Sequence, residues 1–177
     1  MGRLFRHYLD SYKMNTPMWD EYLKVAGDLY NSPQLQSLAG IEHHYKIDRL
    51  QHIRSVAYLS FIISKKLRVD AVEAARGATL HDLVYYDWRE NDWSHRPHGY
   101  RHPGFAVKNA YLLCGTLSKK QKNIIKRHMW PLTPIPPKYT EGWVVTAMDK
   151  YCAAIEIICS KSDVFREKFS KGVGLDI

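Results

Sequence analysis

Apolar residues recur at helical spacing along most of the chain. Thr16-Pro17 followed by Met18, Tyr22, Val25, Ala26 and Leu29 combines a cap, a proline at the first helical position and i, i+3, i+4 spacing, which predicts a helix over about 17–30. The same spacing resumes from Ile47 to Leu67, and Asp70-x-x-Glu73 has the form of a capping box opening a helix that runs to about Asp82. His102-Pro103 opens a helix through about Cys114, Ser118 caps one through about His128, and Thr140 caps a long one through about Ile158. Strand-like alternation is almost absent. Two stretches break the pattern: 85–101, rich in aromatic, His and Arg residues, and 130–139, whose prolines at 131, 134, 136 and 137 forbid a continuous helix. With no internal repeat and no shift in composition, the pattern predicts an all-α bundle forming one domain over 1–177. Its motif-bearing core spans about 41–160, and N-terminal helices within 1–40 pack on it.

Composition supports this reading and narrows the partners. Apolar residues make up 45% and charged residues 25% of 177, enough for a core and unlike a disordered chain. No stretch approaches the roughly 20 apolar residues of a membrane span. The opening Met1-Gly2-Arg3-Leu4-Phe5-Arg6 lacks a signal-peptide core and has Arg6 where a myristoylation motif needs Ser or Thr. Cys114, Cys152 and Cys159 form an odd set without CxxC spacing, which points away from disulfides and thiolate zinc sites and makes a reducing cytoplasm the expected compartment. A net charge of +8 favours anionic partners. A nucleic-acid binder would need one dense Lys/Arg stripe. The nearest candidate, Lys119-Lys120-Gln-Lys122 with Lys126-Arg127, reads as a solvated helix face, so neither nucleic acid nor a membrane is the expected partner.

The ionisable residues on apolar helix faces change the picture most. His52 shares a stripe with Val56, Leu59 and Ile63; His81 and Asp82 follow Ala74, Ala75 and Ala78; His128 follows Ile124 and Ile125; Asp149 lies between Val145 and Cys152. A buried carboxylate costs several kcal/mol unless it is paired or metal-bound. Each residue alone has an ordinary explanation, a hydrogen-bonded core histidine or a capping aspartate, but the set shares one remedy, a common cation. Imidazoles mixed with carboxylates suit Mn, Fe, Co, Ni or Zn rather than Mg or Ca. His43-His44 reads as surface, and the Pro-x-x-Pro segment 131–137 as a rigid rim beside His128.

Asp48-x-x-x-His52-x-x-x-Val56-Ala57, Ala78-Thr-Leu-His-Asp-Leu83 and Ala147-Met-Asp149-Lys150, in that order, resemble the HD superfamily of metal-dependent phosphohydrolases over about residues 41–160. The resemblance implies an HD-domain helical bundle in which His52, His81, Asp82 and Asp149 hold a metal. His102-Pro-Gly-Phe-Ala106 and Ile124-Ile-Lys-Arg-His128, falling between the His-Asp pair and the last Asp, are similar to the dinuclear branches, where two extra histidines carry a second ion. Those branches include diadenosine-tetraphosphate hydrolases and HD-GYP cyclic dinucleotide phosphodiesterases. The His-Pro and His-Met-Trp-Pro-Leu-Thr-Pro contexts resemble a further HD group. Two departures stand out. The chain reads His81-Asp-Leu-Val-Tyr85 where many members read His-Asp-Ile-Gly-Lys, and it lacks the GYP motif, Gly99-Tyr100-Arg101 being a superficial echo.

The function so implied is hydrolysis of a small nucleotide-type phosphate ester or anhydride, in which one or two divalent ions lower the pKa of a water and stabilise charge during in-line displacement at phosphorus. Asp82 and His81 are the expected catalytic residues, Asp82 bridging two ions, with His52, His81 and Asp149 on one and His102 and His128 on the other. If one ion binds, His102 and His128 contact phosphate instead. Arg96 and Arg101, in the loop before His102, together with Lys150 beside Asp149, are the expected substrate contacts, and Tyr85, Tyr86, Trp88 and Trp93 offer rings for a base. The alternatives are a mononuclear 5′-nucleotidase-like enzyme and a nucleotide-sensing HD domain without turnover.

Overall fold

Helix starts and stops follow local chemistry. A computed structural model describes residues 2–44, 47–90 and 93–173. The N-terminal part forms α1 (Arg3–Lys13), α2 (Pro17–Tyr30), the single turn α3 (Pro33–Gln36) and a small antiparallel pair, β1 (Glu42–His44) with β2 (Ile47–Asp48). Then follow α4 (Arg49–Leu67), α5 (Ala71–Leu80), a 3-10 turn at Trp93–His95, α6 (His98–Cys114), α7 (Lys119–Arg127), α8 (Thr140–Lys161) and α9 (Asp163–Val173). Thr16 caps α2 by accepting from Trp19 N, and Asp48 caps α4 by accepting from Gln51 N at 2.8 Å.

Several boundaries differ from the sequence expectation. Thr140 is the first residue of α8 rather than its cap; Tyr139 occupies the cap position without a side-chain bond. α6 begins at His98, so Pro103 lies inside it and 98–101 are helical. Pro103 is the sixth residue of this helix, and its missing N–H leaves the Gly99 carbonyl without its regular intrahelical donor. Asp70 caps α5 by accepting from Glu73 N, but the reciprocal half of the box is absent: Asp70 N donates to Glu141 Oε1 at 3.1 Å instead. The Glu73 carboxylate is taken by the start of α7, through Ser118 Oγ and Gln121 Nε2. Ser118 and Gln121 form the complete capping box of α7.

α4 is the centre of the molecule. It packs against α1, α2, α5 and α8 and is buried around most of its circumference, with Ile53, Val56, Ala57 and Leu59 fully enclosed. α7 lies against α5, α6 and α8, and α9 closes over α1 and α8, where Phe169 sits against Tyr8 and Tyr12. Buried side chains from α1 to α9 form one contiguous cluster. No helix among the described residues is long and apolar enough to cross a membrane.

The α5–α7 contact leaves no room for a methyl group. A Cβ on Gly77 would lie 2.7 Å from Ile124 Cδ1 and 3.0 Å from its Cγ2, and Ile124 is itself fully buried. Gly77→Ala is therefore expected to destabilise the protein by about 1–3 kcal/mol through overpacking, in spite of the roughly 1 kcal/mol gain in helix propensity. The urea denaturation midpoint checks this; a midpoint equal to or above that of the unsubstituted protein would refute it.

Candidate metal centre

Five elements bring their ionisable residues to one place. His52 projects from α4 and Asp149 from α8, while His81 and Asp82 follow the last turn of α5. His102 lies in α6, and His128 caps the C-terminal end of α7. The relative exposures are 0% for His52 and His81, 4% for Asp82, 3% for His102, 1% for His128 and 7% for Asp149. All six groups expected as ligands are thus interior.

Their atoms form a connected set. Asp149 Oδ1 lies 3.2 Å from His52 Nε2 and 3.8 Å from His81 Nε2. Asp82 Oδ1 lies 3.1 Å from His102 Nε2 and 3.7 Å from His128 Nε2, and the two Nε2 atoms are 2.8 Å apart. The His81 ring joins the halves, its centroid 5.6 Å from that of His52 and 5.0 Å from that of His128. Ligand atoms of His52, His81 and Asp149 all fall within 4.8 Å of one another, as do those of His81, Asp82 and His128. Bonds of about 2.0–2.2 Å to a shared cation need little more closure than this.

The other edge of each ring explains why the Nε2 atoms converge. His81 Nδ1 bonds the Ala78 carbonyl at 2.7 Å, His102 Nδ1 the His98 carbonyl at 3.0 Å and His128 Nδ1 the Ile125 carbonyl at 2.8 Å. A carbonyl only accepts, so each Nδ1 carries hydrogen and each Nε2 is left to face inward. Two Nε2 atoms 2.8 Å apart repel unless a proton or cation lies between them. His81 Nε2 and Asp82 Oδ1 are buried with no aligned hydrogen-bond partner among the described residues. A divalent cation fits this donor set: it removes the repulsion and satisfies both atoms.

Two residues that the sequence reading missed complete the surroundings. Glu156, 1% exposed, faces His52 Nδ1 with both oxygens, at 2.9 and 3.1 Å. His43, expected at the surface, is 9% exposed. Its ring lies 4.3 Å from that of His52, centroid to centroid, and its Nε2 is 3.6 Å from Asp82 Oδ2. The expectation is corrected because the β1–β2 pair folds His43 inward, and strands of three and two residues are too short to leave a periodic signal. The side chain of His44 lies outside the described set. For Glu156 a signal existed, an acid seven residues after Asp149 on the same apolar face of α8.

The fields follow from this crowding. Burial pushes the Asp82 carboxyl up, but His102, His81 and His43 hold it well below the usual carboxylate range. Asp149 is likewise held low against burial by His52, Lys150 and His81. Burial pushes His128 down to about 3, helped by His102 and His81, so it is neutral near pH 7. Burial pulls His52 down too, but Glu156 and Asp149 outweigh it and raise the ring to about 10.

Asp82, His102, His128 and Asp149 line a cavity of about 270 Å³ together with His43 and the more exposed Trp88 and Lys150, while His52 and His81 lie behind them. Lys150 Nζ bonds Asp149 Oδ2 at 2.8 Å and the His128 carbonyl at 3.2 Å. Neither Arg96 nor Arg101 lines the cavity. Arg96 lies over the Trp93 ring and donates to the Glu90 carbonyl, and Arg101 donates to the carbonyls of Trp93 and Arg96 and lies over Phe105. Tyr86 and Trp88 border His98, Tyr86 by a hydroxyl contact of 3.1 Å to its Nδ1 and Trp88 by stacking, and His98 in turn stacks on His102.

With that geometry in view, the decisive comparison is a family model for the HD domain, which matches residues 49–154, well over half of the chain. The chain belongs to the HD domain family. Searches of curated proteins and of solved structures gave no significant match. Membership makes this a helical fold of a metal-dependent phosphohydrolase family, and the His/Asp clusters suit the metal that the family uses.

A pH consequence follows from His52. In the metal-free protein its raised pKa leaves it protonated at both nitrogens at pH 7–8, so a cation taking Nε2 must displace that proton. Titration of chelator-stripped protein with Mn²⁺ at pH 7.5 is expected to release about one proton from this ring, and affinity to fall on acidification. Calorimetry in buffers of different ionisation enthalpy measures the release; buffer-independent heats would contradict it.

Proposed function

We propose that the chain is a metal-dependent phosphohydrolase acting on a small nucleotide-type phosphate ester or anhydride. The observation that carries the reading is the convergence of four imidazole Nε2 atoms on two carboxylates that line a cavity bordered by an exposed indole and an ammonium group. His52, His81 and Asp149 would hold one divalent cation, and Asp82, His102 and His128 would hold a second. Divalent cations in such a setting acidify water and neutralise charge on the attacking and leaving oxygens at phosphorus.

The remaining work falls to the chain itself. Lys150 Nζ is fixed at the cavity by Asp149 and the His128 carbonyl, where it would pair with a phosphate oxygen. Trp88 presents an indole suited to a nucleobase on the same cavity. Arg96 and Arg101 would reach a substrate only by exchanging their present bonds to loop carbonyls, and they contribute positive potential from where they stand. The net charge of +8 favours anions over neutral substrates.

The test is phosphate release from nucleoside mono-, di- and triphosphates and dinucleotides by protein loaded in turn with Mn²⁺, Fe²⁺, Co²⁺, Ni²⁺ or Zn²⁺. At least one compound is expected to turn over. Asp82→Asn is expected to lower the rate by more than about a hundredfold, beyond what loss of an outer hydrogen-bond partner costs, because an amide cannot serve as an anionic ligand. Tight nucleotide binding by metal-replete protein without any turnover would replace the hydrolase reading with that of a sensing domain.

A further inference from the structure

The two halves of the centre differ in one respect. His81, His102 and His128 each rest their Nδ1 on a neutral backbone carbonyl, whereas His52 rests its Nδ1 on the carboxylate of Glu156. Glu156 and Asp149 are seven residues apart on α8, two turns along one face, so this helix grips both edges of a single imidazole: Oε2 of Glu156 at 2.9 Å from Nδ1 and Oδ1 of Asp149 at 3.2 Å from Nε2. A carbonyl behind an imidazole fixes its tautomer. A carboxylate does that and also raises the basicity of the opposite nitrogen and adds a full negative charge one bond away from the ligand. With Asp149 on one side and Glu156 on the other, the His52–His81–Asp149 half carries two carboxylates for its ion, and the Asp82–His102–His128 half carries one. His43 lies beside Asp82 and adds no negative charge to that half. Glu156 also lies beyond residues 49–154, so the family match assigns it nothing.

We propose that Glu156 is a positioning residue that makes the His52–His81–Asp149 half the tighter cation position, so that the centre fills from that half first. The inference rests on the metal-dependent reading above but not on any substrate. A purely structural ion pair between Glu156 and His52 would change stability without favouring one half over the other.

The experiment is a Mn²⁺ titration of chelator-stripped full-length protein, followed by calorimetry and by the electron paramagnetic resonance of free Mn²⁺, with circular dichroism on the same samples. Two steps of unequal affinity are expected. Glu156→Gln should weaken the tighter step by roughly 10- to 100-fold and leave the weaker one within about twofold. In a His52→Ala background the same change should have no further effect. His102→Ala combined with His128→Ala should remove the weaker step alone. That last arm keeps the proposal falsifiable even if Glu156→Gln fails to fold: loss of the tighter step on removing His102 and His128 overturns it. So does a Glu156→Gln protein whose steps are unchanged or equally weakened. Unequal steps as described in a protein that hydrolyses no phosphate compound would overturn the hydrolase reading alone. Hydrolysis with steps insensitive to Glu156 would overturn this proposal alone, and a protein that takes up no Mn²⁺ overturns both.

Discussion

The arrangement depends on the hydrogen bonds at the outer edges of the imidazoles. Four histidines buried among Leu, Ile, Val and Ala side chains would otherwise turn a donor and an acceptor wherever partners were nearest. Instead, three backbone carbonyls and one carboxylate take every Nδ1 hydrogen, and the Nε2 atoms are left to meet one another and two carboxylates. The bundle around them holds this repulsive cluster in shape because its helices are closely packed. The charged groups compensate one another: the imidazoles hold the Asp82 and Asp149 carboxyls well below the usual range, and those of Glu156 and Asp149 hold the His52 ring high.

Helix ends do much of this work. The last carbonyls of any α-helix lack an intrahelical partner. Ala78 and Ile125 are three residues before His81 and His128, and each histidine turns back onto that carbonyl as its helix finishes. A helix terminus thus becomes a socket for an imidazole, satisfying the backbone and orienting the ligand in one contact. It also explains why the His-Asp pair sits just past α5 rather than within it: in the turn, Asp82 is free to face the histidines of α6 and α7 while His81 still reaches back.

Much of this was legible in the sequence, and the parts that were not share a cause. α2 runs over Pro17–Tyr30 as its cap, proline and spacing required, and α4, α5, α7 and α8 lie close to their predicted spans. Five of the six ionisable residues stand out because each interrupts an apolar stripe, a signal that helical periodicity makes visible, and His102 stands out only through the resemblance to the dinuclear branches. His43 lies on a strand too short for periodicity, so its burial is set by tertiary packing alone. Glu156 did lie on the stripe of α8, but no motif pointed to it; only the approach of α4 makes it a partner of His52. The start of α6 differs because Pro103 has the look of a first helical residue, whereas the helix begins five residues earlier, at His98, and carries the proline inside it. Arg96 and Arg101 were chosen for charge and proximity in sequence, and the fold of their loop turns both guanidinium groups to its own carbonyls.

The bonds from Glu73 to Ser118 and Gln121 tie the start of α5 to the start of α7, so the two helices begin level and run side by side in the same direction. Midway, Gly77 lies against Ile124, and at the far end the rings of His81 and His128 are 5.0 Å apart. The helices act as a pair of matched gauges: from cap to histidine they have nearly the same number of residues, and that equality of length brings the two imidazoles to the same height. One residue added to either would lift its histidine by about 1.5 Å and swing it by about 100° around the helix axis, away from its neighbour. The spacing between a capping serine and a histidine ten residues later is therefore as much a part of the centre as the ligands themselves, though none of the intervening side chains need touch an ion.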